Sequence, residues 1–284
     1  MKNLKAVPAI HIHPVLLFFL FISFITGAFM HLAVILAIVF IHELGHVLMA
    51  IHFKWRIRKI MLWVFGGVME TEEHGTRPIA EEALVVAAGP FQHVLIFIFL
   101  NTLGASILPS SVLDLAHTYN AAILLFNLLP ICPLDGGKLM SLVFSSLLPY
   151  RKAHAISIVL SALIAIVVLA VQLLLYPFVL TACCLILFLL LENQREWKQR
   201  YYVFVRFLLK RSEAQGQFKK ALISAHSGQP LIQVLSQFRR NRRHVIYVKD
   251  ASPAGYLSEP DCLNLYFAQN GVRRTAGEAL DLQR

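Results

Sequence analysis

The sequence predicts an α-helical polytopic membrane protein with about six transmembrane helices, followed by a small α/β cytoplasmic domain at the C-terminal end. Three observations carry that reading. Hydrophobic residues make up 57% of the 284 positions and charged residues 15%, against about 45–50% and about 25% in a soluble domain; mean hydropathy is +0.65. The apolar residues are gathered into runs of membrane-crossing length. The net charge of +10 is concentrated in the tail: residues 1–191 hold 10 Lys/Arg and 8 Asp/Glu, and residues 192–284 hold 16 and 8. These features exclude a disordered chain, a disulfide scaffold and an ordinary cytosolic enzyme. The four cysteines, Cys132, Cys183, Cys184 and Cys262, form no CxxC pair, so neither a disulfide framework nor a cysteine zinc site is indicated.

The apolar runs are Pro14–Met30, His31–Phe53, Ala83–Leu108, Leu115–Ile131, Ala153–Tyr176 and Pro177–Leu191. A spanning helix needs about 20 apolar residues, within about 17–25, so the fourth and sixth are short. The first run lacks the cleavage site of a signal peptide and reads as retained. With six spans, residues 1–13, 54–82, 132–152 and the tail share one side. They carry 2, 5, 3 and 16 Lys/Arg, all 26 in the chain. The opposite loops carry none, so the positive-inside rule places both termini in the cytoplasm. A five-span count breaks this partition.

His42-Glu43-Leu44-Gly45-His46 interrupts the second run. Spacing of i, i+4 puts both imidazoles on one helical face, where they can share a metal, and leaves Glu43 beside it as general base toward an activated water. Each ionisable group at the centre of a span costs about 2.5–3.5 kcal/mol on insertion scales, so three polar residues in five mark a functional site. A catalytic zinc usually takes three protein ligands. The fourth run ends in Asn127-Leu-Leu-Pro130-Ile-Cys-Pro133-Leu-Asp135-Gly136-Gly137; Asp135 supplies a carboxylate as third ligand, and its two glycines let backbone approach closely. Lys54 lies about 12 Å along the axis from His46, which sets the site between the midplane and the cytoplasmic face. Ile57–Val68 is too short to span as a helix and contains Gly66-Gly67. It reads as a hairpin or re-entrant segment, with Phe65, Gly66 and Gly67 at an edge that can pair with extended substrate, or as an interfacial strand that only covers the core.

HELGH in one span with NLLPICPLDGG in a later one resembles the site-2 protease family of intramembrane zinc metalloproteases, whose pattern is HExxH plus NxxPxxxxDG. The six-span layout with a cytoplasmic tail is similar to its sporulation branch over essentially the whole chain. The resemblance implies one Zn2+ per chain on His42, His46 and Asp135, with Glu43 as base; metal chemistry points to the same four. On resemblance alone, Asn127 positions substrate and Pro133 shapes the Asp135 loop. Related proteases have a hairpin like Ile57–Val68 beside the active site. Ala88-Gly89-Pro90 resembles the third-span motif of the family, where small residues permit close packing. His93 stands where the family often has Asn, and it is not counted as a ligand because three are already present.

In the tail, residues 192–210 are amphipathic and read as an interfacial helix. After Gly228-Gln-Pro230 come a helix with Leu231, Val234, Leu235 and Phe238, a strand at His244–Val248, Tyr256-Leu257-Ser258, and a helix from Glu259. That order resembles one cystathionine β-synthase (CBS) motif. By this likeness the tail can bind ATP, with Asp261 toward the ribose, and pairs with another copy, which implies a homo-oligomer. Arg239, Arg240, Arg242 and Arg243 read either as a phosphate-, lipid- or RNA-binding cluster or as a solvated turn; nothing resembles a domain specific for nucleic acid. The expected organisation is residues 1–191 as membrane metalloprotease domain, 192–222 as interfacial linker and 223–284 as CBS-like cytoplasmic domain.

The expected activity is zinc-dependent hydrolysis of a peptide bond in a membrane-associated protein near the cytoplasmic face. The sporulation likeness implies a substrate similar to a sigma factor precursor that loses its prosegment, membrane proteins that inhibit or regulate the enzyme, and residence in the outer membrane surrounding the forespore. Two other readings stay open. One is the same enzyme acting on an anti-sigma factor or another membrane protein; the other is a non-catalytic zinc- or nucleotide-sensing scaffold. A metal transporter is disfavoured because the outer halves of the spans offer few polar groups.

Overall fold

The computed structural model describes residues 9–12, 14–63, 66–71, 73, 75–213, 219–251, 254–268 and 273–283. The chain forms two compact units, Met1–Pro130 with Leu134–Leu139, and Ile131–Pro133 with Met140–Arg284.

The first unit opens with strand β1 (Ala9–Ile12), then helices α1 (Pro14–Ile25) and α2 (Phe29–His52). α2 ends in a Schellman-type turn. Lys54 takes φ +58°, its N–H donates to Ile51 O, and Trp55 N–H donates to Ala50 O at 2.9 Å. These bonds satisfy carbonyls that a helix end otherwise leaves open. Strands β2 (Ile57–Trp63) and β3 (Gly66–Thr71) follow as an antiparallel hairpin, with Leu62 opposite Gly67 and Trp63 opposite Gly66. β1 lies parallel to β2, with Ala9 opposite Lys59, so the sheet order is β1-β2-β3. Of the readings the sequence leaves open for this segment, the structure has the hairpin, and it adds a third strand that the sequence does not indicate.

Helix α3 (Ile79–Phe99) continues through one π-helical turn (Leu100–Gly104) into α4 (Ala105–Ile107). Wider turns leave carbonyls short of partners, and in a membrane side chains must supply them. Asn101 Nδ2 donates to Phe97 O at 2.7 Å and Thr102 Oγ1 to Ile98 O at 2.9 Å. α2 and α3 meet through glycines. A Cβ on Gly45 would lie 2.5 Å from Ala88 O, so only glycine permits this approach. Helix α5 (Ser110–Asn127) packs on both, burying Ala116 and Asn120. The start of α6 (Asp135–Leu147) belongs to this unit through residue 139.

The second unit holds the rest of α6, then α7 (Tyr150–Leu175) and α8 (Leu180–Glu213), which pack against each other. Prolines 78, 109 and 149 immediately precede α3, α5 and α7; a fixed φ and a missing N–H cost nothing at a position that makes no intrahelical bond. α8 is one unbroken helix of 34 residues, running from the sixth apolar run through the expected interfacial segment. Beyond it come β4 (Lys219–Ala225), α9 (Leu231–Leu235), β5 (Arg242–Val248), β6 (Gly255–Ser258), α10 (Glu259–Phe267) and α11 (Ala276–Asp281). β4 and β5 are parallel across the α9 crossover, and β5 and β6 are antiparallel. β4 begins inside the segment read as linker. Leu231, Leu235, Phe238, Ile246 and Leu257 are wholly buried, in one core with Phe204, Phe207 and Leu208 of α8 and Tyr150 of α7.

An ion network is buried under this core. Arg211 of α8 pairs with Glu259 and donates to the carbonyls of Arg239, Arg240 and Arg242. His244 N–H donates to Glu259 Oε2 at 2.7 Å. Residues 239–242 thus turn around Arg211 through their backbone carbonyls.

Among the described residues, three helices are long and apolar enough to cross a membrane: Phe29–His52, Ile79–Ile107 and Tyr150–Leu175. The other expected positions also carry helices, with 12 residues in α1, 18 in α5 and the apolar first third of α8. The chain is a multi-pass membrane protein.

Candidate metal centre

Helix periodicity places His42 and His46 on the face of α2 that meets α3, and both rings are buried. Asp135 reaches them from the first turn of α6, where a carboxylate complements the positive end of the helix dipole. Gly136 allows this entry, because a Cβ there would lie 2.2 Å from Leu128 O and 2.4 Å from Leu129 O. His42 Nε2, His46 Nε2 and Asp135 Oδ2 form a triangle with every edge 3.1 Å.

Hydrogen bonding shows what these three atoms are. His46 Nδ1 lies 2.8 Å from the Val85 carbonyl, which can only accept. Nδ1 therefore carries a proton, and in the neutral imidazole Nε2 is the lone-pair atom. Asp135 Oδ1 accepts from Lys138 Nζ at 3.1 Å, while buried Oδ2 takes no hydrogen bond. Electron-rich atoms facing each other at this separation repel unless a cation sits among them. Tetrahedral zinc with bonds of about 2.0 Å sets its ligand atoms about 3.3 Å apart, close to the observed edges. The residues present fit a zinc ion.

Glu43 is half-buried on the next position of α2 and lies within electrostatic reach of His42, His46, Lys138 and Asp135. Gly89 faces the two imidazoles, and a Cβ there would lie 2.3 Å from His46 Nε2 and 2.8 Å from His42 Cε1. That clearance, and not only helix packing, is what the glycine of Ala88-Gly89-Pro90 provides.

A profile of peptidase family M50 matches residues 30–109 and 104–170. Stage IV sporulation protein FB of Bacillus subtilis is 36% identical over 283 residues, covering 98% of each chain. The chain belongs to peptidase family M50, the site-2 protease family. The solved structure of a site-2 protease from Methanocaldococcus jannaschii shares the fold, with TM-score 0.53 at 24% identity over 66% of this chain and 89% of that one. This site-2 protease is an intramembrane zinc metallopeptidase, and the HELGH helix and Asp135 both belong to its first unit.

The other expected site residues are less concentrated. Asn127 ends α5, with its Nδ2 donating to Ile123 O at 3.0 Å within the same helix. Pro133 is exposed and follows a cis peptide bond from Cys132. Gly66 and Gly67 open β3, which packs beside α2; Phe65 lies outside the described residues. Asp261 sits in the first turn of α10 in the other unit, where it contacts Ser258 Oγ and accepts from Gln283 Nε2 at 2.9 Å. His93, which follows the third-span motif and is not among the expected ligands, is buried and touches His42, and Asn120, which no motif announces, is buried beside it.

Proposed function

We propose that this site-2 protease holds one Zn2+ through His42 Nε2, His46 Nε2 and Asp135 Oδ2 and uses Glu43 to hydrolyse a peptide bond in a membrane-associated protein. The observation that carries the reading is the buried triangle of lone-pair atoms with a carboxylate at the adjoining helix position. Zinc, when bound, polarises the scissile carbonyl and lowers the pKa of water from 15.7 to about 7. Glu43 takes the proton from the attacking water and carries it to the departing amide nitrogen. The Val85 carbonyl holds His46 in its donor orientation, and Lys138 holds Asp135. A helical substrate has its carbonyls engaged and must unwind before cleavage. The β3 edge beside α2, near Phe65, Gly66 and Gly67, is suited to pair with the extended form. Asn127 at the mouth of the Asp135 loop then orients it, and Pro133 gives that loop its shape.

Six spans with both termini cytoplasmic remain the best reading of the charge partition and put cleavage near the cytoplasmic border. The name of the Bacillus relative supports a role in sporulation. We therefore infer a substrate resembling a sigma factor precursor, enzyme resident in the outer membrane around the forespore, and membrane proteins that restrain it. The division at 191 and 222, the CBS-like reading of 223–284 with ATP near Asp261, and self-association through the tail belong to the same proposal. The helix–strand–strand–helix order of α9, β5, β6 and α10 supports its CBS part.

The test is co-expression with a membrane-associated sigma factor precursor, read by immunoblot, with wild type and Glu43→Gln. Cleavage by wild type and none by an equally expressed Glu43→Gln variant that still binds zinc is the expected result. Cleavage that persists in the variant refutes the role of Glu43. Cleavage of an anti-sigma factor instead moves the substrate assignment and leaves the chemistry.

A further inference from the structure

His93 is fully buried in α3, in the first unit, one helix away from the HELGH motif. Its Nε2 lies 3.1 Å from His42 Nδ1, and its Nδ1 lies 2.8 Å from Asn120 Oδ1. Asn120, 2% exposed on α5, donates through Nδ2 to the backbone carbonyl of His93 at 2.9 Å. The proton positions along this chain follow from that last bond. A carbonyl oxygen can only accept, so the Asn120 amide nitrogen points at it and Oδ1 must be the atom facing His93. His93 Nδ1 then carries the proton, and Nε2 presents a lone pair to His42. His42 Nδ1 donates into it, which leaves His42 Nε2 bare toward the triangle with His46 and Asp135.

We propose that His93 and Asn120 are positioning residues that set the tautomer and ring orientation of His42 for metal binding. His46 reaches the same state by direct contact with Val85 O; His42 reaches a carbonyl through the side chains of His93 and Asn120. His93 is not itself a ligand, since it touches the edge of His42 opposite the metal-facing nitrogen. Outer partners of this kind orient ligands and raise their basicity. The inference rests on the zinc reading of the centre.

The experiment measures zinc affinity of the full chain in detergent by chelator competition, alongside thermal unfolding of the metal-free protein. The expected result for His93→Leu and for Asn120→Leu is affinity about 10–100-fold below wild type, with the double variant no worse than the worse single one because each breaks the same chain. His93→Gln, whose side-chain carbonyl can accept from His42 Nδ1, recovers most of the loss at unchanged unfolding temperature. His93→Leu or Asn120→Leu binding zinc as wild type does, while Asp135→Asn loses it, overturns the inference and leaves the centre standing. Equal loss in His93→Leu and His93→Gln reduces His93 to packing and also overturns it. A wild-type chain that binds no zinc removes the metal reading, and this inference with it.

Discussion

Replacing Gly89 with alanine tests the metal centre at its tightest point. The added Cβ would lie 2.3 Å from His46 Nε2 and 2.4 Å from His46 Cε1, 0.7 Å inside the 3.0 Å limit that real Cβ atoms respect. α3 itself gains, since alanine is favoured over glycine in a helix interior by about 1 kcal/mol, so the helix persists and the ring moves. A displacement of 0.7 Å is more than three times the tolerance of about ±0.2 Å on metal–ligand distances, and it also pulls against the Val85 O bond. We expect zinc affinity to fall at least about 10-fold and cleavage about 10²-fold, the usual cost of a misplacement near 1 Å. Metal analysis after dialysis against a chelator reads the first, and immunoblot cleavage rates read the second. Gly228→Ala is the control, because a Cβ there meets nothing within 4 Å. A Gly89→Ala protein that keeps wild-type zinc and wild-type cleavage refutes the geometry from which the centre is derived.

Two further predictions concern the C-terminal unit. Glu259→Gln removes the carboxylate charge paired with buried Arg211 and is expected to destabilise that unit by about 3–5 kcal/mol, read by thermal unfolding of the full chain. Burial alone would raise the Glu259 carboxyl, but the His244 hydrogen bonds and the Arg211 charge outweigh it and hold the group below the ordinary carboxylate range. A folded pKa below the unfolded one means that this stabilisation is complete above about pH 4.3 and is lost as pH falls through the folded value. The variant should flatten this acid dependence, and an unchanged acid limb counts against it. Burial, with the charges of Glu259 and Asp261, pushes the Cys262 thiol up to about 12. A maleimide at pH 8 should therefore reach Cys262 only on unfolding; rapid labelling of Cys262 in folded chains would contradict its place in the core.

Much of the centre was legible because its signals are local. The HELGH spacing needs only helix periodicity to bring two imidazoles together, and a carboxylate between prolines and glycines at the end of an apolar run has few structural uses. What escaped the sequence was set by contacts between distant segments. His93 stands beside the third-span motif, but it meets His42 across 51 residues and Asn120 across 27, so no fixed spacing shows what it touches. The four residues of β1 become a strand only by pairing with a hairpin some 50 positions later. α6 lay hidden in what reads as a loop, because its opening Asp-Gly-Gly looks like a turn. Arg211 sits in a run of basic residues that reads as a solvated face, and only Glu259, 48 positions on, shows why this one arginine is buried.

The unbroken path of α8 into the C-terminal core bears on how deletions of this protein are to be understood. Phe204, Phe207, Leu208 and Tyr150 are at most 7% exposed because the strands and helices beyond residue 218 cover them. A chain stopped after α8 would bare two phenylalanines, a leucine and a tyrosine on helices that emerge from an apolar segment. Such a fragment invites self-aggregation and quality-control proteolysis. Loss of activity on removing the tail would then report a solubility defect as readily as a missing regulatory domain. A cleaner separation of the two would keep residues 219–283 in place and alter only their solvent-facing side chains.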